Sequence, residues 1–82
     1  LSLVKQRAGE ARRLLSDEVF QSVIQEIRED ATAFFLNSNC GIDELADAHM
    51  RVRATQIILD ALQARLDAEA VQDKKDQHRG SD

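Results

Sequence analysis

The sequence predicts an all-α protein: an antiparallel helical hairpin preceded by a short N-terminal helix and assembled as an oligomeric helical bundle or ring. Three observations support this. The chain has no proline, tyrosine or tryptophan and only three glycines in 82 residues, a composition that suits helices better than sheets. Two long apolar stripes, Phe20–Phe35 and Leu45–Leu66, have helical spacing. The second stripe also has a counterpart on the opposite side of the same helix, and a hairpin partner can cover only one of the two.

The first element is an amphipathic arm, residues 1–15, in which Val4, Ala8, Ala11 and Leu15 mark one helical face. Its apolar residues are few and small, and Gly9 costs about 1 kcal/mol relative to alanine in a helix interior. Isolated in water, such an arm frays. Ser16 follows as an expected N-cap, with Asp17 and Glu18 complementing the dipole in the next first turn. The apolar phase also changes here. Phe20, Val23, Ile24, Ile27, Ala31, Phe34 and Phe35 lie about 160° away from the arm's stripe on a continuous helix (100° per residue). A turn at Ser16 resolves that mismatch.

The domain proper spans residues 16–71, with a turn at 37–42. Asn37, Ser38, Asn39, Cys40 and Gly41 supply the turn chemistry: Asn and Gly tolerate the left-handed conformation that ends helices, and polar side chains bond local backbone. Asp43, Glu44 and Asp47 open the last helix, expected to end near Ala70. In an antiparallel pairing Phe34 meets Leu45, Ala31 meets Ala48, Ile27 meets Val52, Ile24 meets Thr55 and Phe20 meets Leu59. Every pair sums to 79 in residue number. Leu62 and Leu66 outrun this partner and are left for the Leu14–Leu15 end of the arm or for another subunit. Residues 72–82 contain no apolar side chain and are expected to be a disordered polar tail.

Within Leu45–Leu66 the inner seam is Leu45, Ala48, Val52, Thr55, Leu59, Leu62 and Leu66, with a heptad recurrence. Ala46, Met50, Ile57, Ile58 and Ala61 fall on the far side. Met50, Ile57, Ile58, Ala61, Leu62 and Leu66 are therefore the candidate oligomer or partner interface. A chain this short buries a modest core and usually needs a further staple. The single cysteine excludes an internal disulfide, and His49 and His78 lie far apart. Self-association is the staple that remains.

Catalytic, metal and cofactor sites are not expected. His49 has no ligand partner at metal spacing and reads as a surface or structural residue. Cys40, beside the start of the last helix, reads as an inert loop thiol, since reactivity would require a cation or helix terminus aimed at it. Glu26, Glu29 and Asp30 read as a solvated rim opposite Arg51 and Arg53. The three phenylalanines read as core, with Phe34 or Phe35 free to face a partner.

The net charge of −4 is unevenly distributed: residues 1–16 sum to +3, residues 17–50 to −7, and the remainder balances. A basic arm before an acidic body favours head-to-tail contact between copies or an intramolecular fold-back. Lys5, Arg12 and Arg13 are candidate contacts for phosphate or an acidic partner. Direct nucleic-acid binding is disfavoured, because the arginines form no single strip, no aromatics interleave and the body is acidic. No apolar run approaches the roughly 18 residues that cross a bilayer, and a lone cysteine fits a reducing compartment, so the expected location is cytoplasmic.

The segments ARRLLSDEVFQSVIQEIREDA (11–31) and RVRATQIILDALQARLDAEA (51–70), joined by a short polar turn, resemble small helical proteins from the head and DNA-packaging regions of tailed bacteriophages. Within that group the span Ala11–Leu66 is most similar to the oligomerisation part of a small terminase subunit. The resemblance implies a homo-oligomeric, non-enzymatic assembly protein in the host cytoplasm, with a larger packaging or host protein as a further partner. The N-terminal DNA-binding helix-turn-helix of that family is not visible in these residues, so DNA recognition does not carry over. Two other readings stay open: an adaptor or inhibitor docking an apolar helix face on a larger protein, and a nucleic-acid-binding regulator.

Overall fold

The computed structural model describes residues 2–37, Asn39 and 41–80, except for the side chains of residues 79 and 80. It is all-helical over that span: α1 Leu3–Leu15, α2 Glu18–Leu36 and α3 Ile42–Gly80. The molecule is a rod of 65 × 23 × 16 Å. α3 forms its full length, and α1 and α2 lie one after the other against it while hardly touching each other.

Local chemistry explains each boundary. Ser2 caps α1, its Oγ accepting from Lys5 N at 3.5 Å. At the α1–α2 break Asp17, not Ser16, is the N-cap of α2: its Oδ1 accepts from Phe20 N at 2.8 Å. Ser16 instead closes α1, with its hydroxyl donating to Arg12 O at 2.8 Å and its N–H to the same carbonyl at 3.1 Å. The two residues are adjacent and both are good caps, so composition alone does not separate them. Gln21 then reaches back and donates to Leu15 O at 2.6 Å, satisfying a carbonyl that the break releases.

The break serves the packing. It resets the helical phase so that the stripe of α1 and Phe20, Ile24 and Ala31 of α2 face α3, whereas Val23, Ile27, Phe34 and Phe35, expected in the same α2 stripe, are exposed. Ala8 and Ala11 are buried in α1, Ile24 and Ala31 in α2, and Ala48 and Thr55 in α3. Ala31 with Ala48 and Ile24 with Thr55 are two of the expected pairs, and all four residues are buried. Thr55 satisfies its hydroxyl locally by donating to Val52 O at 2.7 Å. Leu45, Val52, Leu59, Leu62 and Leu66 are half-buried along the same seam.

The course of the chain is fixed by three contacts. Arg28 reaches Gln56 at 3.5 Å, Arg12 pairs with Glu69 and Lys5 lies 3.9 Å from Asp73. As the α1–α2 number falls the α3 number rises, so the two runs are antiparallel. Leu62 and Leu66 therefore lie at the level of α1.

At the end of α2 the C-cap Asn37 is extended (φ −92°, ψ 110°) instead of left-handed, and its Oδ1 accepts from Asn39 N at 3.0 Å. No described residue has a positive φ. Ser38 and Cys40 lie outside the described residues, and so do Ser81 and Asp82 of the expected tail. The last helix also passes its expected end near Ala70 and continues to Gly80. Residues 72–80, read as polar tail, are helical. Here the inner seam goes on in polar residues, Glu69 and Asp73, which meet Arg12 and Lys5 of α1. A Gln72–Asp76 bond of 3.2 Å adds support one turn on.

Candidate interaction surface

The far side of α3 exposes a run of apolar side chains. Met50 is 69% exposed, Ile57 56% and Ile58 45%. Ala46 and Ala61 are exposed with them. Five of the six candidate interface residues can be placed in two groups: Met50, Ile57 and Ala61 point outward, while Leu62 and Leu66 are half-buried on the inner seam facing α1. Ile58 lies on the flank between the two (100° per residue).

The outward stripe is longer than the candidate list. Met50, Ala54, Ile57, Ala61, Ala64, Ala68 and Val71 follow an unbroken alternation of four- and three-residue steps, and all are exposed. That is a second heptad seam on the back of the first. Ala54, Ala64 and Ala68 escape a reading based on bulky apolar residues because alanine adds little to such a stripe, and Val71 escapes it because it lies past the expected end of the helix near Ala70. Its spacing is the signal that identifies them. Small residues there let a neighbouring backbone approach closely.

The rim of the stripe is charged. Arg53 and Asp60 lie along one edge, and Glu44, Arg51 and Arg65 along the other. Arg51 pairs with Asp47 one turn back at 2.9 Å, which replaces the expected rim between Arg51 or Arg53 and the acids of α2. Residues four apart on one helix meet more readily than side chains across a seam. Asp60 accepts from Gln56 at 2.8 Å. Among the described residues Arg53, Arg65 and Glu44 have no ion pair. Toward the end of the stripe a shallow cleft between α1 and α3 is lined by Val4, Arg7, Ala64, Arg65 and Ala68.

α2 exposes apolar residues of its own. Val19 (72%), Val23, Ile27 and Phe34 share one side of the helix, and Phe35 and Leu36 are also exposed.

Two of the four basic residues of the arm are engaged. Arg12 and Lys5 face Glu69 and Asp73, so two of the three candidate phosphate contacts already meet carboxylates of the same chain. Arg13 is exposed beside Glu10 and Asp17. His49, Glu26 and Asp30 are exposed, and Glu29 accepts from Gln25 at 2.9 Å. Among the described residues no group of three or more His, Cys, Asp or Glu side chains is placed to hold a metal ion. No described helix is long and apolar enough to cross a membrane.

No family model, no curated protein and no solved structure matches this chain.

Proposed function

We propose that this chain is a non-enzymatic assembly protein that associates with its own copies through the outer face of α3, acting in DNA packaging or head assembly of a tailed phage. The observation that carries the reading is the exposure of Met50, Ile57 and Ile58 beside a protomer core built mainly of alanine. Full burial of each such side chain is worth about 1.5–3 kcal/mol. Covering these three from each copy recovers several kcal/mol that the thin rod leaves unused, a gain comparable with the stability of a small domain. The antiparallel hairpin is then the building block, and the uncovered seam is the means of joining blocks.

The phage assignment is supported by the small-terminase-like pattern of residues 11–66 and by the need of such proteins to form multimers.

A second reading is favoured by a separate observation. Val19, Val23, Ile27 and Phe34 on α2 are exposed on a different side from the α3 stripe, which leaves a surface for a larger packaging or host protein after self-association. Thermal unfolding over a hundredfold range of protein concentration tests the main reading, since linkage makes the Tm of an associating chain rise with concentration. A concentration-independent Tm contradicts it.

A further inference from the structure

We infer that the second copy docks antiparallel on the outer face of α3, in one register, with residues whose numbers sum to 111 opposite each other. This rests on the self-association proposed above and adds its geometry. In this register Ala54 meets Ile57 of the other copy and Met50 meets Ala61, each twice by symmetry, so the four most apolar layers of the stripe lie at the centre. A symmetric dimer needs such a self-complementary patch.

Charge selects the register. Residues flanking an antiparallel helix pair face their own kind across the seam, and opposite signs there set orientation and partner choice. With layers summing to 111, Arg53 faces Asp60 of the other copy on one edge, and Glu44 faces Arg65 on the other. Each pair occurs twice. Three of these four residues, Arg53, Arg65 and Glu44, have no ion pair among the described residues. Ile58 lies over the stem of Arg51, which has its charge satisfied by Asp47.

The ends of the contact agree as well. Asp43 and Asp47, from the first turns of one α3, arrive opposite Ala68 and Ala64 of the other. That is the cleft edged by Arg7 and Arg65. The acids that interrupt the apolar stripe before Met50 thus land where two arginines line the groove.

Neighbouring arrangements fail on the same residues. Sliding by one heptad places Arg53 against Arg53, or Asp60 against Asp60 and Arg51 against Arg65. Sliding by two heptads toward the C-terminus sets Asp60 against Asp67 and Arg53 against Lys74. A parallel pair brings the acidic starts of both α3 helices together.

Cysteine cross-linking tests the register in the full chain with Cys40→Ser. Ala54→Cys and Ile57→Cys chains are prepared separately, mixed and oxidised mildly. The register predicts that the 54–57 disulfide between chains dominates, because disulfides need Cα atoms within about 7 Å. Dominant 54–54 bonding instead marks a parallel pair and overturns the inference. The charge arm uses sedimentation equilibrium. Arg65→Glu should weaken association about tenfold, since it sets two like-charged pairs into the dimer. Adding Glu44→Arg to the same chain should restore most of the loss. Failure of that rescue in a chain that still associates overturns the register and leaves the proposed function standing. A wild-type chain that stays single at every concentration overturns both.

Discussion

Arg12 of α1 donates through Nη2 to Oε1 of Glu69, fifty-seven residues further along the chain, and this contact holds the N-terminal arm to the far half of α3. The Glu69 side chain is only 20% exposed, whereas that of Arg12 is 57% exposed. The pair therefore sits at the rim of the seam, not within it, and it continues in charge the packing that Ala8 and Ala11 begin.

Removing that contact should loosen the arm without unfolding the rod. Arg12→Ala and Glu69→Ala, combined in a double-mutant cycle, should give a coupling energy of up to about 1 kcal/mol. The coupling should shrink between low and high salt, as expected of a largely exposed pair. Hydrogen exchange should show faster opening of α1 and little change in α2.

The junction between α1 and α2 depends on Asp17. Asp17→Ala should cost about 1 kcal/mol, the usual value of a lost N-cap, read from the denaturation midpoint. Ser16→Ala should cost less, because Ser16 closes α1 and its backbone N–H keeps a bond to Arg12 O.

Gly9 offers a gain. It lies inside α1, and a Cβ built there meets nothing within 4 Å. Gly9→Ala should stabilise the protein by up to about 1 kcal/mol through helix propensity. A loss in a thermal melt would show that the arm packs more closely than the structure describes.

The small residues of the inner seam set its spacing. Ala31 and Ala48 are 0% and 1% exposed. Ala48→Leu should destabilise by about 1–3 kcal/mol through overpacking. Ala33→Leu, on the exposed side of α2, should stay within about 0.5 kcal/mol. Equal effects from the two would contradict the seam assignment.

Much of this fold is legible in particular residues. The alignment at a sum of 79 picks out Ala31, Ala48, Ile24 and Thr55, all four of them buried, because heptad phase singles out the seam positions of both helices. The phase jump after Leu15 marks the break. Its cap is ambiguous by one residue, since Ser16 and Asp17 are chemically equivalent candidates. The extension of α3 to Gly80 is hidden because the seam there is carboxylate and cation instead of apolar. Only the placement of Arg12 and Lys5 opposite Glu69 and Asp73 reveals it. On the candidate interface, Met50 and Ile57 stand out by size. Ala54, Ala64 and Ala68 become visible once the exposed face is seen whole. Heptad phase already puts Leu62 and Leu66 on the inner seam, and the position of α1 decides between the arm and another subunit as what lies at their level.

The central claim is that the outer face of α3 is covered by another copy of this chain. Light scattering coupled to size exclusion at micromolar concentration measures it most directly. The account predicts a mass at two or more multiples of 9.2 kDa, falling to the single-chain value in Ile57→Asp with the helical circular dichroism signal retained. A well-folded wild-type species of 9.2 kDa would contradict it.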